Sequence, residues 1–387
     1  MSEKALPRLS PPPSDDLPGG FGVALDAAVR RFDDGEILVG GVPERVIRLS
    51  AEARATIDAL GEPRPVPAEP AMIRRLLRPL LDAGVLHPRP GPSRIDPSDV
   101  TVVVPAFDRA DALPRMLEAV GPCVGIIVVD DGSSDGTAEV AAAAGAEVVR
   151  RDLRGGPSAA RNSGVDVVRT PFVAFVDSDC RLPSGWLGPL LAHFADPTVA
   201  VVAPRVVGDV AHRSDPLARY ETVRSPQDLG PAPGYVRPGA RVSFLPAAVM
   251  VARTDVVRGF GGFDERLEVV EDVDFVWRLA AAGWRVRFVP EVVAHHDARP
   301  DLRRFLRRRV DYGTSAAALH VRQPGQVDPI GVSPWSAAVW GAAVAGMPGP
   351  ALLAALGTIG RLARRLRGRG RQRFRVAWTV AGRGHAG

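Results

Sequence analysis

The sequence has a single lysine, Lys4, and only two cysteines, Cys123 and Cys180, among its 387 residues. Two cysteines are too few for a disulfide framework or for a zinc site built from cysteine. Because lysine is so scarce, the positive side of the net charge of +5 comes almost entirely from arginine. No stripe of base-stacking aromatic residues accompanies these arginines, so we expect no nucleic-acid partner.

The N-terminus lacks the basic and apolar regions of a signal peptide. Residues 1–19 are instead rich in proline, serine and aspartate, which offer little apolar surface to bury, and we predict a disordered leader there. A chain without an export signal is expected to stay in the cytoplasm.

Residues 20–90 carry the pattern of a small winged-helix-like domain. Ser50 is a residue type that caps the start of a helix, and the leucines of the second helix recur at helical spacing. A proline-rich linker is expected at Pro88–Asp99. The predicted elements are strands at Ile37–Val39, Val46–Leu49 and Val85–Leu86 and helices at Ala51–Leu60 and Met72–Ala83.

Residues 98–300 alternate between continuous apolar strands and helices. This pattern is typical of an α/β domain whose mainly parallel sheet is covered by helices on both faces. Such sheets bind their ligands at the carboxyl ends of the strands. The clearest predicted strands are Thr101–Val104, Ile126–Val129 and Phe172–Val176. Residues 301–387 are predicted to form a helical, partly apolar and basic C-terminal region.

Two acidic runs come directly after predicted strands. Asp130 and Asp131 precede a glycine and a helix, where a carboxylate can accept hydrogen bonds from a uracil N–H or from ribose hydroxyls. Asp177 and Asp179, with one residue between them, can converge on a hard divalent cation such as Mn²⁺ or Mg²⁺. Each run alone is equally compatible with an ordinary turn or surface pair.

Three further positions are candidates for chemistry. Arg161 follows a glycine pair on the first turns of a helix, where it can face a donor or simply lie at the surface. Glu271 and Asp272 lie at the start of another helix. One of them can act as a general base, or the helix dipole alone can account for acidic residues at this position. His295 and His296 alternate along a strand, so one of them can complete a metal shell while the other faces away.

The order of these runs resembles the family-2 glycosyltransferases, which have the nucleotide-diphospho-sugar transferase (GT-A-like) fold. The resemblance implies that Pro105, Asp108, Asp130, Asp131 and Arg161 line the donor nucleotide. It implies a Mn²⁺ or Mg²⁺ ion on Asp177 and Asp179, Asp272 as the base with Glu271 as the second choice, and inversion at the sugar. The matching segments are residues 104–109, 128–133, 160–162, 177–179, 260–265, 271–274 and 295–296.

Residues 20–41 ahead of this domain resemble a narrower group, the glycosyltransferases of mycofactocin biosynthesis. That resemblance implies transfer of glucose from a UDP-sugar to a peptide-derived redox cofactor, with the N-terminal domain recognising the peptide. A hairpin in the winged-helix-like domain would offer an edge strand, around Ile37–Val39 or Val46–Leu49, to which a peptide can add through main-chain hydrogen bonds.

Two alternatives remain open at this point. A lipid-linked or cell-wall acceptor is favoured by residues 335–360, which are apolar but interrupted by Pro348 and Pro350. The arginines of residues 361–375 suit peripheral contact with an anionic membrane surface. In a different class, the winged-helix region would be a DNA-binding regulator fused to an inactive transferase.

Overall fold

The computed structural model describes residues 10–11, 17, 21–59, 64–65, 71–121, 125–209, 220, 225–297, 303, 306, 310, 319–323, 334–347, 349–350, 352–353 and 356–357. Most of the predicted leader and all of the arginine-rich run at 361–375 lie outside these residues. Of the leader, Leu17 is described, and its side chain is buried in the N-terminal core.

The N-terminal region, residues 21–89, contains two small antiparallel sheets and two helices. Its strands are β1 (Gly22–Leu25), β2 (Arg30–Phe32), β3 (Ile37–Gly40), β4 (Arg45–Arg48), β5 (Arg64–Pro65) and β6 (Leu86–Arg89), and its helices are α1 (Ala51–Ala59) and α2 (Ala71–Asp82). One sheet has the order β2-β3-β4 and the other the order β5-β1-β6. Strands precede α1 and β6 follows α2, but β5 lies between the two helices, and the winged-helix interpretation stays a prediction.

Two sequence expectations about this region are wrong in detail. The strand Ile37–Gly40 lies in the middle of its sheet, with β2 on one side and β4 on the other, so it is not an edge. The predicted linker begins inside β6, where His87 and Pro88 pair with β1. Proline has no backbone N–H, and it is tolerated at this position because no N–H is needed to pair with a neighbouring strand on that side of β6.

The larger region is built on one mixed sheet with the order β11-β15-β12-β14-β10-β7-β8-β9. Its strands are β7 (Val100–Ala106), β8 (Gly125–Asp130), β9 (Glu147–Arg150), β10 (Phe172–Val176), β11 (Cys180–Arg181), β12 (Val199–Asp209), β13 (Gly234–Tyr235), β14 (Val249–Arg253) and β15 (Arg285–Asp297). Its helices are α3 (Leu113–Val120), α4 (Thr137–Ala143), α5 (Gly156–Val167), α6 (Leu187–Ala192), α7 (Thr254–Gly259) and α8 (Glu271–Ala281).

This sheet confirms the predicted α/β class. Strands β9, β8, β7 and β10 are parallel neighbours, as their continuous apolar sequences predict. Strand β14 was not predicted, and it runs antiparallel to both β10 and β12. Its N-terminal end therefore lies beside the carboxyl end of β10, with Val249 opposite Val176. The segment that leads into β14 is thereby brought to the edge where Asp177 emerges.

The N-terminal region packs firmly on the larger one through charged side chains. Arg78 Nη1 lies 2.6 Å from Asp196 Oδ2, and both side chains are at most 5% exposed. Arg285 holds both carboxylate oxygens of Asp82 at 2.8 Å. Breaking a buried pair such as Arg78–Asp196 by removing one partner costs about 3–5 kcal/mol. The two regions are therefore joined by a fixed interface.

A second part of the interface is a buried histidine. His87 Nε2 lies 2.5 Å from Asp26 Oδ2, and its Nδ1 lies 3.3 Å from an Nη of the buried Arg287. Burial lowers the pKa of His87. Arg287 belongs to β15, the strand whose other end carries His295 and His296. Docking of the N-terminal region thus fixes a strand that reaches the candidate site.

The C-terminal region is described only in short pieces. Leu319 is buried against the larger core, and an Nη of Arg322 lies 2.8 Å from Asp264 Oδ2. Helix α9 (Pro334–Val344) is uncharged, and Trp340 on it is 56% exposed. Among the described residues, no helix has the length and apolar character needed to cross a bilayer.

Candidate functional site

A cleft of about 680 Å³ opens at the carboxyl edge of the parallel strands. Its walls come from the ends of β7 and β10, the start of α5, the segment before β14, the start of α8 and the end of β15. This is the position at which open α/β sheets bind ligands. The residues that line it include Pro105, Phe107, Arg109, Asp131, Arg154, Arg161, Asp177, Asp179, Phe244, Ala247, Val269, Val270, Glu271, Asp272 and His296.

One end of the cleft holds two carboxylates and an imidazole. Asp177, Asp179 and His296 each offer a ligand atom, and these atoms all lie within 4.8 Å of one another. His296 Nε2 is 3.2 Å from Asp179 Oδ1. Strand pairing brings these three side chains together, because Cys180 at the start of β11 lies opposite His296 in β15.

These donors fit a hard divalent cation. Carboxylate oxygens suit Mg²⁺ and Mn²⁺, and an added imidazole favours Mn²⁺ among the two. His295 is not in this group, since it is exposed and alternates to the other side of β15. Of the two candidate histidines, His296 is therefore the one that the fold brings to the carboxylates.

Asp131 supports the cleft through the backbone. Its carboxylate accepts hydrogen bonds from the N–H groups of Gly155 at 2.9 Å and Gly156 at 2.7 Å. Arg151 Nε donates to the same carboxylate at 2.9 Å. Gly156 has φ +85°, which favours glycine, and it begins α5. Asp131 thus fixes the glycine pair that shapes the wall of the cleft.

Asp108 and Asp130 do not line the cleft, although the resemblance placed both at the nucleotide. Asp130 is fully buried and accepts a hydrogen bond from the N–H of Ser133 at 2.9 Å. Asp108, with φ +50°, accepts one from the N–H of Ser134 at 2.9 Å. Both carboxylates hold the turn after β8, next to Pro105, which does line the cleft.

Sequence reasoning missed two cationic residues and a ring at the cleft. The guanidinium of Arg154 lies 4.0 Å from the centre of the Phe107 ring, and both residues line the cleft. Arg109 Nη2 is 3.8 Å from Asp179 Oδ2. Phe107 and Arg109 lie within a segment quoted for the resemblance, but Arg154 carries no local signal, because its partner comes from a distant strand end.

Arg161 is almost completely buried, with 3% of its surface exposed. One Nη lies 2.7 Å from Asp177 Oδ1 and the other 3.0 Å from Glu271 Oε1. Its guanidinium also faces the ring of Phe263 at 5.4 Å. The arginine therefore spans from Asp177, at the end of β10, to the start of α8.

Asp272 lies on the α8 side of the cleft, in the first turn of that helix. Its Oδ2 accepts a hydrogen bond from the N–H of Ala247 at 3.2 Å and its Oδ1 from the N–H of Val273 at 2.8 Å. Burial, with a further contribution from the neighbouring Glu271 charge, raises the pKa of Asp272 to about 7. A carboxylate with such a pKa is suited to taking up a proton near neutral pH.

The residue before this turn is strained. Val270 has φ +62°, a left-handed conformation that is an outlier for a β-branched residue. Such strain clusters at functional sites, where the surrounding structure holds it in place. Glu271 differs from Asp272 in being paired with Arg161, and this leaves Asp272 as the better candidate for accepting a proton.

Comparison with known proteins places these residues in context. The family description "Glycosyl transferase family 2" matches residues 101–238, and "Glycosyl transferase family group 2" matches residues 172–363. The "Pre-mycofactocin glycosyltransferase" of Mycobacterium tuberculosis is 43% identical over 329 residues, covering 84% of this chain and 68% of that protein. "Glycosyltransferase AglE" of Haloferax volcanii is 27% identical, over 52% of this chain and 67% of its own length.

A solved structure can be laid over a large part of the chain. The mannosyltransferase PcManGT from Pyrobaculum calidifontis, in complex with GDP-Man and Mn²⁺, superposes with a TM-score of 0.48 and 21% sequence identity. The overlap covers 76% of this chain and 89% of that one.

The cluster of Asp177, Asp179 and His296 leads to a direct prediction. His296→Ala is expected to weaken Mn²⁺ binding at least about 10-fold, because it removes a donor atom, and even loss of a second-shell partner costs 10–100-fold. Titration calorimetry with Mn²⁺ alone measures the effect. His295→Ala is the matched control, since this neighbour faces away from the carboxylates. Equal weakening by both variants would contradict the assignment.

Proposed function

The chain belongs to glycosyl transferase family 2, and on that premise we propose that it is a metal-dependent enzyme that transfers a sugar with inversion from a UDP-sugar. The observation that carries the proposal is the pairing of two ends in one cleft. One end holds the Asp177, Asp179 and His296 donors, and the other holds Asp272 with a pKa of about 7.

The first end is suited to a nucleotide diphosphate. Asp177, Asp179 and His296 would hold a Mn²⁺ or Mg²⁺ ion, which offsets the negative charge that builds up on the departing diphosphate. Arg109 adds a positive charge beside Asp179, and Phe107 offers a ring face against which a base can stack. The nucleotide contacts of Pro105, Asp131 and Arg161, and those of Asp108 and Asp130, remain predictions.

The second end is suited to activating the acceptor. In the proposed step the Asp272 carboxylate takes the proton of an acceptor hydroxyl as its oxygen bonds to the anomeric carbon. The bond from that carbon to the diphosphate oxygen breaks on the opposite side, so the sugar configuration inverts. The hydrogen bonds that Asp272 accepts from the N–H groups of Ala247 and Val273 aim its carboxylate and favour its ionised form.

The pKa of Asp272 gives this step a pH dependence. Below about pH 7 the carboxyl is protonated and cannot accept a proton, so kcat is expected to fall as pH decreases through that value. Asp272→Asn keeps the shape but not the basicity, and it should lower kcat about 10²–10⁴-fold while UDP binding persists. Steady-state rates from pH 5.5 to 8.5, with UDP titration calorimetry, measure both.

Glu271→Gln is the comparison that separates the two neighbouring carboxylates. If it removes the pH dependence while Asp272→Asn retains both turnover and the pH dependence, Glu271 is the base. If Asp272→Asn instead loses UDP affinity at normal turnover, Asp272 belongs to the donor site.

For the acceptor we propose the peptide-derived precursor of mycofactocin, with glucose as the sugar. Support comes from the identity of 43% to the pre-mycofactocin glycosyltransferase, which extends over 84% of the chain. A lipid-linked or cell-wall acceptor is the second candidate, and it is favoured by the exposed apolar side chains of the C-terminal region, such as Trp340 and Leu353.

We further propose that residues 20–90 form a winged-helix-like peptide-recognition domain. Of the two strands expected to offer an edge, β3 lies in the middle of its sheet, whereas β4 is at an edge and pairs only with β3 among the described strands. A groove of about 470 Å³ lies beside it, lined by Arg48, Leu49 and the first residues of α1. A peptide adding to β4 would form main-chain hydrogen bonds and place side chains in this groove.

Proline substitutions on β4 test peptide addition. Successive backbone N–H groups of a strand point to opposite sides, so of Val46 and Ile47 one donates toward β3 and the other points outward. Proline has no N–H, and therefore one of the variants Val46→Pro and Ile47→Pro removes the outward hydrogen-bond donor. That variant should weaken transfer to a peptide-tethered acceptor about 10-fold or more and leave transfer to a small free acceptor unchanged. Equal losses on both acceptors, with a lower Tm, would make the region a structural part only.

Point variants are preferable to deletion of the N-terminal region. Removing it would leave the buried Asp196 without Arg78 and would strip Asp82 from Arg285. Loss of activity in such a truncated protein would therefore report on stability as much as on acceptor binding.

Peripheral contact with an anionic membrane is a separate proposal for the C-terminal region. Val344, Met347, Leu352 and Leu353 are each more than half exposed, and eight arginines without an acidic residue follow in residues 361–375. Flotation with phosphatidylglycerol vesicles at low salt should recover the protein, and high salt should release part of it. Absence of binding at low salt, or equal binding to phosphatidylcholine vesicles, would refute an electrostatic contact.

A further inference from the structure

The two ends of the cleft are connected by one buried cation. Arg161 extends from α5 and binds Asp177, at the end of β10, and Glu271, at the start of α8. These contacts are 2.7 Å and 3.0 Å long. Glu271 is the neighbour of Asp272, and Asp177 is one of the three candidate metal ligands. A single guanidinium therefore links the donor-side wall to the acceptor-side wall.

Both terminal nitrogens of this arginine are already engaged by carboxylates of the protein. Each Nη is engaged with a different carboxylate, and only 3% of the residue is exposed. The third nitrogen, Nε, is itself buried and has no hydrogen-bond acceptor among the residues that the structure describes. The planar fork of arginine can hold two carboxylates at fixed angles, which the single ammonium of lysine cannot.

The next residue strengthens the same connection from α5. The side-chain amide of Asn162 donates to the backbone carbonyl of Phe263 at 2.8 Å, and its oxygen accepts from the N–H of Phe263 at 2.9 Å. The ring of Phe263 lies under the Arg161 guanidinium. Helix α5 thus holds the loop that precedes α8 as well as α8 itself.

We propose that Arg161 is a positioning residue that sets the separation and orientation of Asp177 and Asp272, acting on Asp272 through Glu271. The inference rests on the proposed function, because it assigns these two carboxylates to the donor and acceptor sides of one transfer. It differs from the donor-binding role that the family resemblance implies for Arg161. Misplacing a catalytic group by about 1 Å can cost about 100-fold in rate, so a residue that only holds it can matter as much.

Arg161→Lys is the direct test, because it keeps the charge and loses the fork. It should lower kcat about 100-fold, because a lysine can still pair with Asp177 but cannot also hold Glu271, and for the same reason the donor KM and the Kd for UDP with Mn²⁺ should change less than about threefold. Glu271→Gln should lower kcat about 10-fold, since the amide oxygen still accepts from Arg161 but without its charge. The double variant should lose little more than Arg161→Lys alone, which a double-mutant cycle measures.

A matched control comes from another arginine that bonds the same helix. Arg258 binds backbone carbonyls at the end of α5, including that of Val165, and does not line the cleft. Arg258→Lys should lower Tm without changing the ratio of kcat to donor KM. Comparison of the two variants separates a general loosening of α5 from a change at Asp272.

Two outcomes would overturn the inference. If Arg161→Lys raises the Kd for UDP and leaves kcat intact, Arg161 is a donor ligand. If Arg161→Lys and Glu271→Gln multiply in their effects on kcat, the two residues act independently. Should Arg161→Lys fail to fold, Glu271→Gln decides alone, and an unchanged kcat counts against the link. Absence of sugar transfer by the unaltered protein would instead refute the proposed function.

Discussion

Antiparallel pairing of β14 with β10 is the contact on which the candidate site depends. With Val249 opposite Val176, the chain entering β14 passes beside Asp177, whose N–H donates to the carbonyl of Ala248 at 2.8 Å. Ala247, one residue earlier, donates its N–H to Asp272. One strand thereby places a candidate metal ligand and the candidate base against the same short segment. Together with the Arg161–Glu271 contact, it fixes the position of Asp272 relative to the parallel half of the sheet.

Charge is the second constraint, because the cleft concentrates carboxylates that repel one another. Asp177, Asp179, Glu271 and Asp272 all line it, and Arg161 is the buried cation among them. The arginine partly offsets the repulsion and so opposes the rise in the pKa of Asp272 that burial and Glu271 produce. A divalent cation at the other end would further compensate the charge. The fold tolerates this acidic cleft because cations are built into it.

The sequence predicted the parallel half of the fold well and the side-chain directions poorly. Continuous apolar runs such as Thr101–Val104 and Phe172–Val176 mark buried strands, and the acidic residues after them fall at the expected edge. Yet the side chains of Asp130 and Asp131, which are adjacent in sequence, take different positions, and only Asp131 lines the cleft. Turn geometry after a strand decides such directions, and a pattern of residue types does not contain it. The contact between Arg161 and Glu271 could not be predicted either, because the two residues are far apart in the sequence.

In the proposed reaction, one proton acceptor, Asp272, faces a departing diphosphate across the anomeric carbon, and this arrangement permits a single displacement. The configuration of the product tests it most directly. A UDP-α-sugar donor that the protein accepts should yield a β-linked product, identified from its anomeric proton in an NMR spectrum. An α-linked product formed by the unaltered protein would contradict this mechanism, because attack from the face opposite the diphosphate must invert the anomeric carbon.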